Sequence, residues 1–455
     1  MSRWFRRTGA LFAATLTAFG LTAGSPAQAA TAAHYTGQLP DGASWVADVP
    51  ASWNGTVILY SHGFGPLVAQ NAPDQPTAQA LLADGYALIG SSYSGPSLWA
   101  LAAAPRDQFA SLDELVRKIG EPRRTIAWGT SMGGLVSALE AESGARRLDG
   151  ALTTCGLVAG ALNLNDYQLD GEYALSRLLA PAQPVKLVRY ASADEANAAG
   201  AALTKLVTDA QGSAAGRARV ALGAALLNTP PWLTGDAPPG PADYAGQEAQ
   251  QQQALAQFVL GFVVPGRYQI ELAAGGNSAS NRGVDYRALL AGSPLARQVR
   301  ALYRAAGLDL DADLADLTRH ADVTPDPRAV ATLARTSQAT GRLRVPSLNV
   351  HTTADHLVPV EQESWYAQRV RSAGREPLLR QAYVQAAGHC AFRPSETLAA
   401  LHALESRIET GRWPDLRAAS LNAAAAALGE PGRYIRYHPA PLTGSDRGRP
   451  PLASR

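Results

Sequence analysis

One serine in the chain stands where a nucleophile would be expected. Ser131 lies between Gly129 and Gly133 in the run IAWGTSMGGLV. The residues before it (RTIAW) are β-branched and aromatic, as in a short buried strand, and those after it (GGLVSALEAESG) have apolar residues at helical spacing. A strand, a sharp turn and a helix would expose the hydroxyl, and glycines are needed because side chains there would clash with the neighbouring strand and helix. The run therefore predicts that Ser131 attacks an acyl carbonyl.

Such a serine needs a general base, and His389 is placed to provide it. A serine hydroxyl is a poor nucleophile until a base takes its proton. His389 follows LLRQAYVQAAG, the last apolar strand expected before a closing helix. Loops at the carboxyl ends of parallel strands line the sites of such sheets, so we predict His389 as the base. The alternative is a structural histidine.

The base in turn needs an acid that holds the imidazole in place. Asp355 lies in the turn TTADHLVP, directly after the strand PSLNVHTT. An aspartate at that strand end would reach a histidine one strand away. Asp166 and Asp170 are rivals, ranked lower because they fall inside an inserted segment. The predicted order along the chain is Ser131, Asp355, His389.

The negative charge that develops on an attacked carbonyl oxygen needs hydrogen-bond donors. The sequence HGFG (residues 62–65) follows the buried run VILY. We predict the backbone N–H groups of Phe64 and Met132 as the donors of this oxyanion hole. Gly63 and Gly65 would let the backbone approach the substrate, and His62 would orient the loop by hydrogen bonds. The alternative is a plain glycine turn.

Short apolar strands alternate with helices over residues 36–156 and again over 342–410. This alternation is typical of an α/β protein with a mostly parallel central sheet flanked by helices. Residues 157–341 contain Ala-rich helical stretches and a Pro/Gly loop instead. We predict a large, mainly helical lid inserted between the strand that ends near Cys155 and the strand that starts near Arg344. The alternative is an independent second domain.

Both ends of the chain differ from the rest. Residues 1–29 have a basic start (MSRWFRR), a short apolar run and the sequence Ala27-Gln28-Ala29. They predict a cleavable signal peptide, with a membrane anchor as the alternative, and hence a secreted or periplasmic protein. The route of export stays open. Residues 411–455 read as a C-terminal extension whose last dozen residues are expected to be disordered.

Composition excludes several classes of function. The 455 residues include 40 Lys and Arg against 38 Asp and Glu, without a basic run, so we expect no nucleic-acid partner. After residue 29, no apolar stretch is long enough to anchor the chain in a membrane. No cysteine or histidine cluster has metal-ligand spacing, and acyl transfer needs no cofactor, so we predict neither metal nor cofactor. The sequence does not indicate an oligomeric state.

The two cysteines, Cys155 and Cys390, favour one disulfide in an exported chain, with two buried thiols as the alternative. 

Taken together, HGFG, GTSMGG, TTAD and AGHC resemble the motifs of the α/β-hydrolase fold, in order and spacing, over residues 36–156 and 342–408. The resemblance implies a secreted bacterial serine hydrolase of the esterase or prolyl-oligopeptidase-like kind, with a large lid. Tannases and feruloyl esterases within this fold join a cysteine beside the serine to one just after the histidine. The chain has the second of these, Cys390, but Thr130 replaces the first. Cys155, at the end of the next strand, could still reach Cys390.

The substrate expected from this resemblance is a carboxylic ester, with Trp99 and Trp232 as candidate linings of the acyl pocket. A serine exopeptidase is the alternative, and it would need a lid carboxylate to hold an N-terminal amine. Glu195, Glu248 and Glu271 are the candidates for that role. A non-catalytic binding protein on the same scaffold is a third possibility.

Overall fold

The computed structural model describes residues 31–144 and 146–446. The predicted signal peptide, residues 1–29, lies outside the described residues, as do the last nine residues of the C-terminal extension. Among the helices of the described chain, none combines the length and the apolar character that crossing a bilayer requires.

A single mixed sheet forms the centre of the described chain. Its strands are β1 (Thr31–Gln38), β2 (Ser44–Pro50), β3 (Thr56–Ser61), β4 (Ala87–Ser91), β5 (Arg124–Thr130), β6 (Gly150–Thr154), β7 (Ser347–Ala354), β8 (Leu379–Ala387) and β9 (Tyr434–Ile435). They lie in the order β1-β2-β4-β3-β5-β6-β7-β8-β9. The strands from β4 to β8 in this order are parallel, while the pairs β1–β2, β2–β4 and β8–β9 are antiparallel.

Helices cover both faces of this sheet, and further helices form the segment between β6 and β7. In chain order they are α1 (Gln75–Ala83), α2 (Ala104–Ile119), α3 (Met132–Ser143), α4 (Gly160–Leu179), α5 (Ala193–Asp209), α6 (Ala214–Leu226), α7 (Tyr244–Ala254), α8 (Leu260–Ala274), α9 (Tyr286–Gly292), α10 (Ala296–Ala305), α11 (Leu310–His320), α12 (Pro327–Thr336), α13 (Glu361–Ser372), α14 (Pro394–Thr410) and α15 (Ala418–Ala427). A π-helical segment, Leu255–Val259, joins α7 to α8. Every residue of β3, β4 and β6 is buried, as expected for parallel strands covered on both faces.

The parallel register brings the candidate functional loops to one edge of the sheet. β5 lies between β3 and β6, and β7 lies between β6 and β8. Because parallel strands all end at the same edge, the segments that follow β3, β5, β6, β7 and β8 meet there. These are the segments that carry His62, Ser131, Cys155, Asp355 and His389.

The chain between β6 and β7 is helical, and no strand lies in it. The helices from α4 to α11 pack around a hydrophobic core of their own, with Leu175, Leu203, Leu222 and Val264 among its buried members. Two further cores lie against the sheet. Residues 157–341, predicted as a helical lid, thus form helices with a core of their own.

The C-terminal extension contacts the sheet and the insertion. β9 pairs with β8 and forms the edge of the sheet, and Thr443 exchanges two hydrogen bonds with Asn228 of the insertion, at 3.0 and 3.1 Å. Asp446 accepts a hydrogen bond from Trp365 Nε1 at 2.9 Å. Residues up to 446 thus contact the rest of the fold. The last nine residues, on which most of the disorder prediction falls, lie outside the described residues, so that expectation stays a prediction.

Candidate active site

Ser131 occupies a strained turn between β5 and α3. Its backbone angles are φ 60° and ψ −122°, in a region that residues with a side chain rarely adopt. A Cβ added to Gly129 would lie 1.8 Å from Gly133 O, and one added to Gly133 would lie 1.9 Å from Ser61 O. Both positions therefore exclude any side chain, and the tight packing holds the strained serine in place.

A continuous hydrogen-bonded relay connects Ser131 to two distant parts of the chain. Ser131 Oγ lies 2.9 Å from His389 Nε2, and His389 Nδ1 lies 2.7 Å from Asp355 Oδ2. The other oxygen of Asp355 accepts the backbone N–H groups of Leu357 and Val358 at 3.0 and 2.9 Å. The carboxylate is thus fixed from both sides. With the ring proton on Nδ1, His389 presents a free Nε2 to the serine hydroxyl.

The electrostatics of the relay keep Asp355 ionised. Burial by itself would raise the pKa of this carboxyl, which is 1 % exposed. His389 lowers the pKa through its charge and through its hydrogen bond to the carboxylate. With the smaller contributions of His351 and the Val358 N–H, these effects outweigh burial, and the pKa lies below its ordinary value. A buried carboxylate of this kind favours the imidazolium that forms when His389 takes a proton.

The HGFG loop packs directly against the serine. A Cβ on Gly63 would lie 3.2 Å from Ser131 Cβ. The ring nitrogens of His62 face two backbone carbonyls, Gly63 O at 2.8 Å and Ser92 O at 3.3 Å, and the ring stacks on Tyr93 at 4.1 Å. Burial lowers the pKa of His62, with the two carbonyls opposing. A neutral ring donates one hydrogen bond, so it braces the loop through one of these carbonyls and by stacking on Tyr93.

The predicted oxyanion donors lie on the two segments that flank Ser131. Met132 is the first residue of α3, and the first N–H groups of a helix have no acceptor within the helix. Phe64 follows Gly63 in the loop that contacts the serine. Gly65 differs from its neighbours, because no protein atom lies within 4 Å of the position of an added Cβ. Packing within the chain therefore does not require a glycine at residue 65.

A disulfide joins Cys155 to Cys390, with Cα atoms 5.4 Å apart. The alternative of two separate thiols is therefore wrong. Cys155 directly follows β6, and Cys390 directly follows His389, whose ring nitrogens lie 3.5 and 3.7 Å from Cys390 Sγ. The bond thus ties the loop of the candidate base to the sheet. These two sulfurs, Asp355 and His389 have ligand atoms within 4.8 Å of one another, but the disulfide leaves no thiolate to bind a metal.

The rival acids lie elsewhere, inside the insertion. Asp166 accepts a hydrogen bond from the Ser280 N–H at 2.9 Å. Asp170 accepts one from the Tyr286 hydroxyl at 3.0 Å. Both carboxylates bind groups within the insertion, whereas Asp355 is the carboxylate in contact with His389.

A narrow apolar cavity opens onto Ser131 and His389. It holds about 440 Å³ of empty space, its open mouth included. The rest of its wall comes from loops after the strands and from α4 and α8: Phe64, Trp99, Leu157, Leu164, Gln168, Phe262, Val263, Gly266, Ile270, Leu357 and Val358. Apart from Ser131 and His389, Gln168 is the polar side chain among these residues.

Of the two tryptophans predicted to line an acyl pocket, one lies in the wall of this cavity. Trp99 lines the cavity, and its Nε1 donates to Ser337 Oγ at 3.1 Å. Trp232 lies outside the lining and donates to Gly235 O within its own loop at 3.2 Å. Sequence reasoning also missed the wall residues of α4 and α8. The one available signal was Phe262, an aromatic residue in the helical run LAQFVLGFVVPG.

The lid carboxylates considered for an amine-binding role have other partners. Glu195 pairs with Lys186 at the surface, and Glu248 accepts from Gln211 at 2.9 Å. Glu271 accepts two backbone N–H groups of the loop before α5, at 2.7 and 3.1 Å. None of the three belongs to the cavity wall.

Three features decide the architecture. They are the order of the strands in the sheet, the strained turn at the serine, and the succession of Ser131, Asp355 and His389 along the chain. The chain has the α/β-hydrolase fold. No protein-family model matches it. It is 28% identical to an o-phthalyl amidase of Xanthobacter agilis over 417 residues, which cover 86% of this chain and 90% of that protein. This similarity supports a hydrolase on this fold.

Solved structures of hydrolases are also similar in shape, at low sequence identity. Feruloyl esterase B from Aspergillus oryzae matches at 14% identity and a TM-score of 0.40, covering 84% of this chain and 80% of that one. The esterase LipA from Xanthomonas oryzae matches at 15% identity and a TM-score of 0.36, covering 83% of this chain and 87% of that one. The assignment of the fold rests on the strand order and turn geometry of the chain itself.

Proposed function

We propose that the protein is a serine hydrolase that cleaves an ester or an amide of a small aromatic carboxylic acid. The observation that carries this proposal is the Ser131–His389–Asp355 relay beside an apolar cavity. A nucleophile, a base and an acid in hydrogen-bond contact are what acyl transfer requires. A cavity of this kind at their side is where the acyl group would bind.

In the proposed mechanism, Ser131 Oγ attacks the carbonyl carbon while His389 Nε2 takes the hydroxyl proton. Asp355 stabilises the imidazolium, and the N–H groups of Phe64 and Met132 stabilise the oxyanion. The imidazolium then passes its proton to the leaving group as the bond to that group breaks. Water, deprotonated by His389, releases the acid from the acyl-enzyme and restores the serine.

The side chains around the cavity support an aromatic acyl group. Phe64 lies 5.5 Å from Phe262 at a near-perpendicular angle and 6.3 Å from Trp99, so three rings surround the entrance. Aromatic rings favour such edge and tilted contacts with a further ring. In this proposal α4 and α8 act as the lid, because they close the side of the cavity that the sheet leaves open.

The proposal covers two types of bond, the amide and the ester, and substrates of both types should be tested. The sequence favoured an ester, whereas the relative from Xanthobacter agilis is named for amide cleavage and for the o-phthalyl group. A serine enzyme that expels an amine through this mechanism also expels an alcohol, which is the better leaving group. The exopeptidase alternative has lost its support, since the carboxylates proposed to hold an amine lie away from the cavity.

The test is a panel of p-nitrophenyl esters and p-nitroanilides with benzoyl, 2-carboxybenzoyl, acetyl and octanoyl groups. We expect the aromatic acyl groups to give the highest kcat/KM on both bond types. Ser131→Ala should lower kcat by about 10⁶-fold. The matched control is Ser137→Ala, because Ser137 is a buried serine on the same helix that bonds to Gly134 O and Thr153. Equal activity of the two variants would remove Ser131 from the mechanism, and a preference for octanoyl would overturn the aromatic assignment.

We also propose that the protein is exported. The disulfide supports this, because such bonds persist in oxidising compartments. The predicted cleavage after residue 29 is checked by expression of the full chain in a bacterial host and N-terminal sequencing of the secreted or periplasmic product. Protein retained in the cytosol with an intact N-terminus would contradict export.

A further inference from the structure

Two exposed aromatic side chains lie one helical turn apart on the insertion, and one of them lines the cavity. Among the described residues, five large apolar side chains are exposed: Val68, Phe258, Phe262, Leu272 and Leu428. Phe262 is 41 % exposed, lines the cavity and packs its edge against Phe64. Phe258, one helical turn before it, is 52 % exposed. The apolar wall of the cavity thus continues outward onto the surface of the insertion.

Two exposed phenylalanines on consecutive turns need a reason, because single exposed apolar residues are common but adjacent aromatic ones are not. Packing of the insertion does not supply it. Val259, Leu260, Val263 and Val264 of the same stretch are buried in the cores, while Phe258 points away from them into solvent.

The geometry of acyl transfer indicates what could lie on this surface. The acyl group and the leaving group extend in different directions from the attacked carbon. If the narrow cavity holds the acyl group, the leaving group has to lie outside it, near the His389 Nε2 that gives it a proton. The surface that continues from the mouth is that of Phe262 and Phe258.

We propose that Phe258 and Phe262 form a binding surface for the leaving group, and that this group is an aromatic or long-chain amine or alcohol. The proposal rests on the proposed function for its kinetic consequences. It assigns selectivity for the leaving group to the insertion, separately from selectivity for the acyl group.

The test uses two substrates that share the benzoyl group, methyl benzoate and 2-naphthylmethyl benzoate. Phe258→Ser is compared with Leu428→Ser, because Leu428 is also exposed but follows α15, which packs against α14 and the edge strand β9. Comparing each variant with wild type on the same substrate cancels the different reactivities of the two esters. We expect Phe258→Ser to lower kcat/KM for the naphthylmethyl ester about tenfold more than for the methyl ester, since an aromatic contact of this size is lost. We expect Leu428→Ser to change the ratio less than twofold.

A binding measurement separates this proposal from the hydrolase assignment. The fluorescence of 2-naphthalenemethanol, the product alcohol, is titrated with wild type and with Phe258→Ser. Weaker binding to the variant supports the surface even if neither ester is hydrolysed, in which case the proposed function alone fails. Equal binding, or an unchanged ratio of the two esters, overturns the proposal. So does a wild type that is dimeric at assay concentration and becomes monomeric in Phe258→Ser, because the surface would then be a subunit interface.

Discussion

The sheet and the helical insertion contribute different things to the same cavity. The sheet supplies Ser131, Asp355 and His389, each just after a strand whose buried neighbours fix it. The insertion supplies the wall residues of α4 and α8, which are apolar except for Gln168. Reactive groups thus come from the rigid part of the fold, while the shape of the cavity comes from helices with a core of their own.

This division predicts that the two regions can be separated by mutation. Changes at the ends of the strands should reduce turnover of every substrate, because they alter the transition state common to all acyl groups. Changes in α4 and α8 should alter which acyl group is preferred. A variant of the insertion that abolished all turnover, or a variant of the relay that only changed selectivity, would break the comparison.

After the loss expected for Ser131→Ala, the largest effect should come from Asp355→Asn. An amide in this position still accepts the N–H groups of Leu357 and Val358 but offers no charge to His389 and favours the wrong tautomer. We expect kcat to fall about 10⁴-fold on every substrate, with a folded protein by circular dichroism. Asp166→Asn is the control, and its activity should stay within about threefold of wild type. If Asp166→Asn shows the larger loss, the acid has been misassigned.

The same division explains how far sequence reasoning could reach. Strands buried on both faces read as unbroken apolar runs, so the positions of Ser131 and Asp355 after β5 and β7 were visible from the sequence. The glycines at residues 129 and 133 were also legible, because their contacts forbid any side chain.

The wall of the cavity was not legible, and α4 shows why. Of its 20 residues, 17 are buried, among them Asn163, Asp166, Gln168 and Glu172. Because polar as well as apolar side chains of this helix are buried, its periodicity cannot tell which of them meet the cavity. The contacts of the C-terminal extension were not legible for a related reason, because Thr443 and Asp446 bond to partners that are distant in sequence.

The disulfide is the covalent link between the candidate base and the sheet, and its removal should lower stability. It closes a loop with a sequence separation of 235 residues. On the chain-entropy model such a link contributes roughly 5 kcal/mol. We expect the Cys155→Ser, Cys390→Ser double variant to unfold in urea with a free energy lower by about that amount. Because these are the two cysteines of the sequence, reduction of the wild type is a matched control. A double variant as stable as the oxidised wild type would contradict the stabilising role.

A smaller effect on stability is expected from a carboxyl beneath β7 and β8, the strands that precede Asp355 and His389. Glu363 on α13 is buried and accepts hydrogen bonds from Asn349 of β7 and Gln381 of β8. Burial raises the pKa of this carboxyl to about 7, with the two amides opposing. The folded state therefore holds a proton that the unfolded state releases near pH 4.5. The associated stability is present below pH 4.5 and is lost as the pH rises to about 7, by up to about 3 kcal/mol.

Glu363→Gln tests this, because a neutral amide keeps an acceptor for both donors without the charge. We expect the variant to be more stable than wild type above pH 7 and to lose the difference as the pH falls toward 4.5. Thermal unfolding across pH 4–8 measures it. Parallel curves for the two proteins would show that Glu363 is already ionised in the folded state.

The smallest expected effect tests the difference between the cavity wall and the core of the insertion most directly, because it compares two residues of one helix. Ile270 and Val264 are both buried on α8, but Ile270 lines the cavity and Val264 belongs to the core of the insertion. Ile270→Ala enlarges the space beside the acyl group and should shift the ratio of kcat/KM for a 2-naphthoyl over a benzoyl ester by about tenfold in favour of the larger group. Val264→Ala should destabilise the protein by a comparable amount, since both changes leave a gap in packed surroundings, yet leave that ratio unchanged. If Val264→Ala shifts the ratio as much as Ile270→Ala does, selectivity depends on the packing of the whole insertion, and the cavity wall alone does not set it.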